Sequence, residues 1–307
     1  MKMLTLLSSL SLAVMLVACE PAVKPANPAP ATSESANLEP TKIAETTENK
    51  APVAESVPPA TVPSSVTNAT GSGAPSCTLK LGFEAWEPYQ YVGIDQQPAG
   101  LDIELVAAVS QKMNCQLVPQ QGTWVELIAA LKAGELDMLL GASKTQARQE
   151  FAFFSEPYRT EQFVLFIRSA EAASLPQATM ADFLASGKKL GIVSEYYYGS
   201  EFTELYNNEQ FKTQFVESSL SELNMARLLD EDIDGMLEDK FVAASMLRRK
   251  GMDKEIGPHS ITLGNSDVFV MFSKISVTEE KVSAFNAAMA AIRQNGEYDA
   301  IMARYQY

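Results

Sequence analysis

Arg148 stands three residues after Thr145, whose side chain can cap a helix that begins there. A guanidinium at that point can grip a carboxylate through two parallel hydrogen bonds, with Ser143 and nearby backbone N–H groups as further donors. The same residues also suit a plainer arrangement, a surface arginine paired with Glu150. Trp86 and Trp124 are the only tryptophans in the chain. Facing each other, they would offer a slot for a planar or cationic group, with a cation–π attraction of about 1–2 kcal/mol once desolvated. Set apart, they would be ordinary core residues. Chemistry that makes or breaks bonds finds less support. His259 is the only histidine, and the sequence holds no histidine–nucleophile pair, phosphate loop or Cys/His cluster. Neither an enzyme nor a metal or other cofactor is therefore expected.

The segments that must position these residues alternate between strand and helix. A strand over 79–83 leads into an aromatic, proline-bearing loop over 84–91. Leu101, Leu105, Val106, Val109 and Met113 have helical spacing, and a second short strand covers 115–119. An amphipathic helix over 124–133 is closed by Gly134, and a strand that is apolar except for Asp137 follows over 136–141. The long apolar strand 163–167 runs into a polar break over 169–178. A second set follows: strand 189–193, helix 200–206, strand 211–216, helix 220–229 and strand 235–237. Strand 268–272 and helix 279–295 complete the pattern. Such alternation implies parallel sheets covered on both faces. The expected fold is therefore α/β, with two lobes joined at two crossovers that act as a hinge. Lobe 1 is expected over 76–166 plus 269–307, and lobe 2 over 167–268. Cys77 and Cys115 form an even pair that an oxidising compartment would join as a disulfide. If the first two strands are neighbours, these cysteines sit at matching ends.

The N-terminus is made of different material. Lys2 and the apolar run over 4–17 have the pattern of a secretory signal, too short for a spanning helix. The run ends in Leu16-Val17-Ala18-Cys19, which resembles a bacterial lipobox and implies a signal peptide over 1–18 and lipid on the Cys19 thiol. Two or more acyl chains, at about 0.8 kcal/mol per buried CH₂, would hold the chain at a membrane surface. Residues 20–75 contain ten Pro, eleven Ala and no aromatic residue, so 19–75 is expected to be a disordered tether. Residues 76–307 carry 32 carboxylates against 20 Lys and Arg, which argues against nucleic acid as a partner.

In order along 76–307, seven segments resemble the bacterial family 3 extracellular solute-binding proteins. They are Trp86-Glu87-Pro88-Tyr89, the run 100–105, the stretch from Trp124 to Asp137, Ser143-Lys144-Thr145-Gln146-Ala147-Arg148, Phe154-Ser155-Glu156-Pro157-Tyr158, residues 234–239, and Asn295-Gly296-Glu297-Tyr298-Asp299. The resemblance implies a two-lobed periplasmic binding protein of type II, parallel-rich sheets and a two-strand hinge. It implies capture of a small, amino-acid-like solute between the lobes and delivery to the permease of an ABC importer, in the periplasm or at the cell surface, by a monomer. It also implies residue roles. Arg148 would bind the ligand's α-carboxylate and Asp239 its ammonium group, unless Asp239 serves as a helix cap. Trp86, Trp124 and Gly141 would flank the ligand, and Glu84 stands roughly where an acidic residue reads the side chain. The second lobe departs from the family. Where polar amino-acid binders run Gly-Thr-Thr, this chain has Ser194-Glu195-Tyr196-Tyr197-Tyr198-Gly199. Tyr197 would keep a backbone donor but not a small hydroxyl, which implies a more aromatic cleft. Other roles known for the fold are a sensor that hands its ligand to a membrane signalling partner and, with less support here, a periplasmic dehydratase.

Overall fold

The structure is a computed structural model that describes residues 74–305. The expected signal segment, Cys19 and nearly all of the tether lie outside the described residues. Along the chain, the first lobe lays down β1 (Cys77–Phe83), β2 (Tyr91–Val92), β3 (Pro98–Ala99), α1 (Leu101–Lys112) and β4 (Cys115–Gln121). It continues with α2 (Trp124–Ala133), β5 (Met138–Ala142), α3 (Gln146–Gln149), β6 (Ala152–Phe154) and β7 (Arg159–Glu161). The second lobe holds β8 (Phe163–Arg168), α4 (Met180–Ala185), β9 (Leu190–Val193), α5 (Ser200–Tyr206) and β10 (Phe215–Ser218). There follow α6 (Ser221–Leu229), β11 (Gly235–Asp239), α7 (Lys240–Lys250) and β12 (Ile256–Thr262). The chain then returns to the first lobe through β13 (Ser266–Ser273), α8 (Glu279–Gln294) and α9 (Glu297–Arg304).

Each sheet combines a parallel part with one antiparallel strand that comes from the crossover. The first runs β4-β1-β5-β13-β6, with β7 also on β13, and the second runs β10-β9-β11-β8-β12. β1 is parallel to β4 and β5, whereas β13 is antiparallel to β5. β9 is parallel to β10 and β11, whereas β8 is antiparallel to β11. The chain therefore changes sheet between Glu161 and Phe163 and again between Thr262 and Ser266. Beside these crossovers, Glu161 pairs with Ser266, Thr160 with Asp267 and Arg159 with Val268. Two antiparallel strands thus join the lobes. The expected division after residue 166 falls inside β8, and the one after 268 falls inside β13, because sheet pairing carries each strand whole into one lobe.

Apolar side chains cover both faces of each sheet, as the unbroken hydrophobic runs in β5 and β8 require. In the first lobe α1, α8 and α9 pack on one face around Leu105, Val109 and Phe285, and α2 packs on the other around Leu127 and Leu131. In the second, α4 and α5 cover one face through Phe183 and Phe202, and α6 and α7 the other through Leu228 and Met246. Cys77 and Cys115 are directly paired in the parallel register of β1 and β4 and form a disulfide.

Several elements differ from expectation. Residues 211–214 form a turn that sends Phe211 into the core, so the strand expected over 211–216 begins only at Phe215. The polar break holds a short 3₁₀ segment, followed by α4 with Thr179 as its cap. β12 contains Gly257 and Pro258, a composition that reads as a turn; it is tolerated because β12 is an edge strand.

Candidate functional site

The carboxyl ends of the first-lobe strands bring their following residues together at the face opposing the second lobe. Glu84 and Trp86 follow β1, Trp124 opens α2 just after β4, and Gly141 lies in β5 with Ser143 just beyond it. Thr123 caps α2 in a capping box with Glu126, which fixes where the Trp124 ring begins. Thr145 caps α3 and places Arg148 in its single turn. Gly141 has φ +71, and a Cβ there would meet Gln90 Nε2 at 3.0 Å, so the strand approaches the loop after β1 as only glycine allows. Behind that loop, Arg159 donates to Asp102 from Nε at 2.8 Å and Nη2 at 3.0 Å, and its guanidinium lies 3.7 Å from the Tyr89 ring centre. Gln90 bridges this buried pair to the site, donating to Asp102 and accepting from the Glu84 backbone.

Seven of the eight expected ligand residues, Glu84, Trp86, Trp124, Gly141, Ser143, Arg148 and Tyr197, line one cavity between the lobes. Arg148 is buried, not at the surface with Glu150. It donates from Nη1 to the Ser143 carbonyl at 3.0 Å and from Nη2 to the Glu195 carbonyl at 2.6 Å. Burial lowers its pKa to about 10, against the pull of nearby Glu195 and Glu161. Its guanidinium sits 5.4 Å from the Trp124 ring centre. Asp239 is the exception. It is fully buried outside the lining and caps α7, accepting from the N–H groups of Phe241 at 2.9 Å and Val242 at 3.2 Å. Tyr89 Oη and the Gln162 N–H, each at 3.3 Å, take up its remaining capacity. The capping role named as the alternative for Asp239 is thus the one its contacts describe.

The site contains acidic groups that the sequence reading passed over. Glu161 lines the cavity and accepts from Ser143 Oγ at 3.3 Å. Glu238 accepts from Trp86 Nε1 at 3.1 Å, a bond that links the lobes. Glu238 follows Met236-Leu237 in an apolar strand, where a carboxylate must be buried, and that was its available signal; Glu161 stands in the polar run Arg159-Thr160-Glu161-Gln162, which gave none. Burial raises Glu161 and Glu238 to about 7 each, and Arg159 opposes it at Glu161. Glu84 is raised to about 8, chiefly by burial and secondarily by the charge of Glu238, while the Tyr196 hydroxyl works in the opposite direction. Such a surplus of buried acid, with Arg148 and Arg159 as the nearby cations and Arg159 already paired with Asp102, favours an entering cation, because a positive group relieves the cost of ionising the carboxylates. Tyr196 also belongs to the lining. Its ring stands 6.2 Å from both Trp86 and Trp124, edge-on to each.

The family model described as bacterial extracellular solute-binding proteins, family 3, matches residues 79–306. A probable histidine-binding protein of Neisseria gonorrhoeae is 26% identical over 223 residues, covering 71% of this chain and 78% of the relative. An L-arginine-binding protein of Pseudomonas aeruginosa is 26% identical over 248 residues, covering 74% and 87%. Among solved structures, an ancestral arginine-binding protein bound to arginine superposes with a TM-score of 0.66 at 18% identity, covering 75% of this chain and 98% of that one. This last likeness concerns the fold.

Proposed function

We propose, for a chain that belongs to the bacterial extracellular solute-binding proteins of family 3, that the cleft captures an α-amino acid with a basic side chain and presents it to a membrane importer. The observation that carries this reading is the pairing of buried Arg148 with buried Glu84 in one cavity, beside two tryptophans. Arg148 holds the ligand's carboxylate, Glu84 receives the positive end of its side chain, and Trp86 and Trp124 flank the part between. Glu161, close to Ser143, receives the α-ammonium group in place of Asp239, whose oxygens are already engaged. Relatives named for histidine and arginine support a basic side chain. These groups belong to the first lobe while Tyr197 lines the same cavity from the second, so binding favours closure about the paired strands at 159–161 and 266–268. Lipid on Cys19 and the segment that follows it keep the closed, loaded form near its permease.

A thermal-shift screen of the full chain against the twenty amino acids tests this reading. A ligand at a hundredfold excess over its Kd adds about 2.7 kcal/mol, or roughly 5–10 °C for a protein of this size. L-Arginine, L-lysine or L-histidine is expected to give the largest shift. A larger shift from L-glutamate or L-aspartate would reject the basic-side-chain assignment.

A further inference from the structure

Three of the groups assigned to the ligand, Arg148, Trp124 and Glu84, already have partners in two adjacent residues of the second lobe. The Glu195 carbonyl accepts from Arg148 Nη2 at 2.6 Å and from Trp124 Nε1 at 3.2 Å. The Tyr196 hydroxyl donates to Glu84 Oε2 at 2.6 Å. Between these two ends the Tyr196 ring meets both indoles, at interplanar angles of 78° to Trp86 and 87° to Trp124. Residues 195 and 196 therefore present an oxygen acceptor to the guanidinium, a donor to the carboxylate and a flat body to the aromatic slot. A basic amino acid would offer the same three features in the same order. The free volume left among the lining residues is about 20 Å³, which admits a water molecule but not an amino acid.

We infer that Glu195 and Tyr196 form a built-in occupant of the cleft that an incoming amino acid must displace, so that Tyr196 sets both affinity and ligand range. The inference rests on the amino-acid reading above for the identity of the competitor. Three further observations support displacement. Glu195 has φ +65, a left-handed conformation that strains a non-glycine residue. The contacts of this segment hold it there, and exchanging them for a ligand releases the strain. Gly199, with φ +102 and open space around its α-carbon, supplies a pivot at the other end of the segment. An open hollow of about 760 Å³ lies beside the same segment, lined by Val125, Ile128, Phe151 and Tyr206 among others, and can receive the displaced ring. Tyr196 packs at the edge of apolar clusters in both lobes, so its withdrawal also loosens their contact.

The test compares the full-length wild type with Tyr196→Ala and Tyr196→Phe. Trp86 and Trp124 are the only tryptophans, so acrylamide quenching of their emission reports on the slot without any ligand. Tyr196→Ala is expected to be quenched at least twofold more strongly than wild type. It should also bind L-arginine about tenfold tighter or more, because removing a competing internal state raises the binding-competent fraction. Tyr196→Phe keeps the ring but loses the bond to Glu84; its quenching should match wild type and its affinity rise several-fold. If Tyr196→Ala fails to fold, Tyr196→Phe decides alone, and an unchanged or weaker affinity overturns the inference. Equal binding of L-arginine by folded Tyr196→Ala and wild type would overturn the built-in occupant while leaving the amino-acid reading intact. Stronger quenching of Tyr196→Ala with no uptake of L-arginine, L-lysine or L-histidine by any form would do the reverse.

Discussion

Glu84 keeps its proton up to about pH 8, and Glu161 and Glu238 keep theirs to about 7, because burial penalises the ionised form. An unfolded chain releases such protons near 4.5. Between these values the folded state binds more protons than the unfolded one, so their contribution to stability is full below 4.5 and is lost as pH climbs through 7 and 8. The melting temperature of the ligand-free protein is expected to fall between pH 5 and 8.5, and Glu84→Gln should flatten that slope. A melting temperature that rises over this range would contradict the assignment. A cation in the cleft favours the ionised carboxylates, so binding expels protons, and affinity for L-arginine should increase from pH 6 to 8. Little of this was legible in the sequence. Arg148, Glu84 and the two tryptophans could be marked by residue type and motif, but Asp239 could not be told from a cap. Which carboxylate reaches the cavity depends on how strands distant in sequence, β1 and β7, end at one place, and no local pattern records that.

Elements were more readable than side chains. Helix α2 shows its cap at Thr123, its apolar face and its terminating Gly134 within twelve residues. Strands β5 and β8 announce themselves by unbroken apolar runs. Helix α7 was missed because its cap, Asp239, also closes β11, leaving no loop to mark a boundary. The pairing of β1 with β4 follows from their place in the first α/β unit, and the disulfide fastens the ends where both strands begin. The ligand residues follow the opposite ends of these strands. Replacing Cys77 and Cys115 by alanine is therefore expected to cost roughly 2–4 kcal/mol, or about 5–15 °C in melting temperature, with affinity for L-arginine unchanged. Calorimetric melts and titrations under non-reducing conditions check both parts. A large loss of affinity at an unchanged melting temperature would place the bridge in the site instead.

At the scale of the molecule, an acidic body over 76–307 follows a Pro- and Ala-rich stretch over 20–75. The Leu-Val-Ala-Cys sequence at 16–19 carries a separate expectation. Protein made in a bacterial host should fractionate with membranes and begin at an acylated Cys19, and Cys19→Ser should release it into the soluble fraction. Intact mass and fractionation read both; a soluble wild type with a free Cys19 thiol would remove the anchor. The two-lobed architecture matters because the second lobe can close over opposite charges that follow separate strands of the first. The central claim, a basic amino acid held between Arg148 and Glu84, is tested most directly by calorimetric titration of L-arginine into full-length wild type, Arg148→Ala and Glu84→Gln. Wild type should bind one ligand per chain. Loss of a buried charge partner typically costs about 2–5 kcal/mol, so Arg148→Ala should bind at least about thirtyfold more weakly. Glu84→Gln should lose more affinity for L-arginine than for L-glutamine. A folded Arg148→Ala that binds L-arginine as tightly as wild type would contradict the account at its centre.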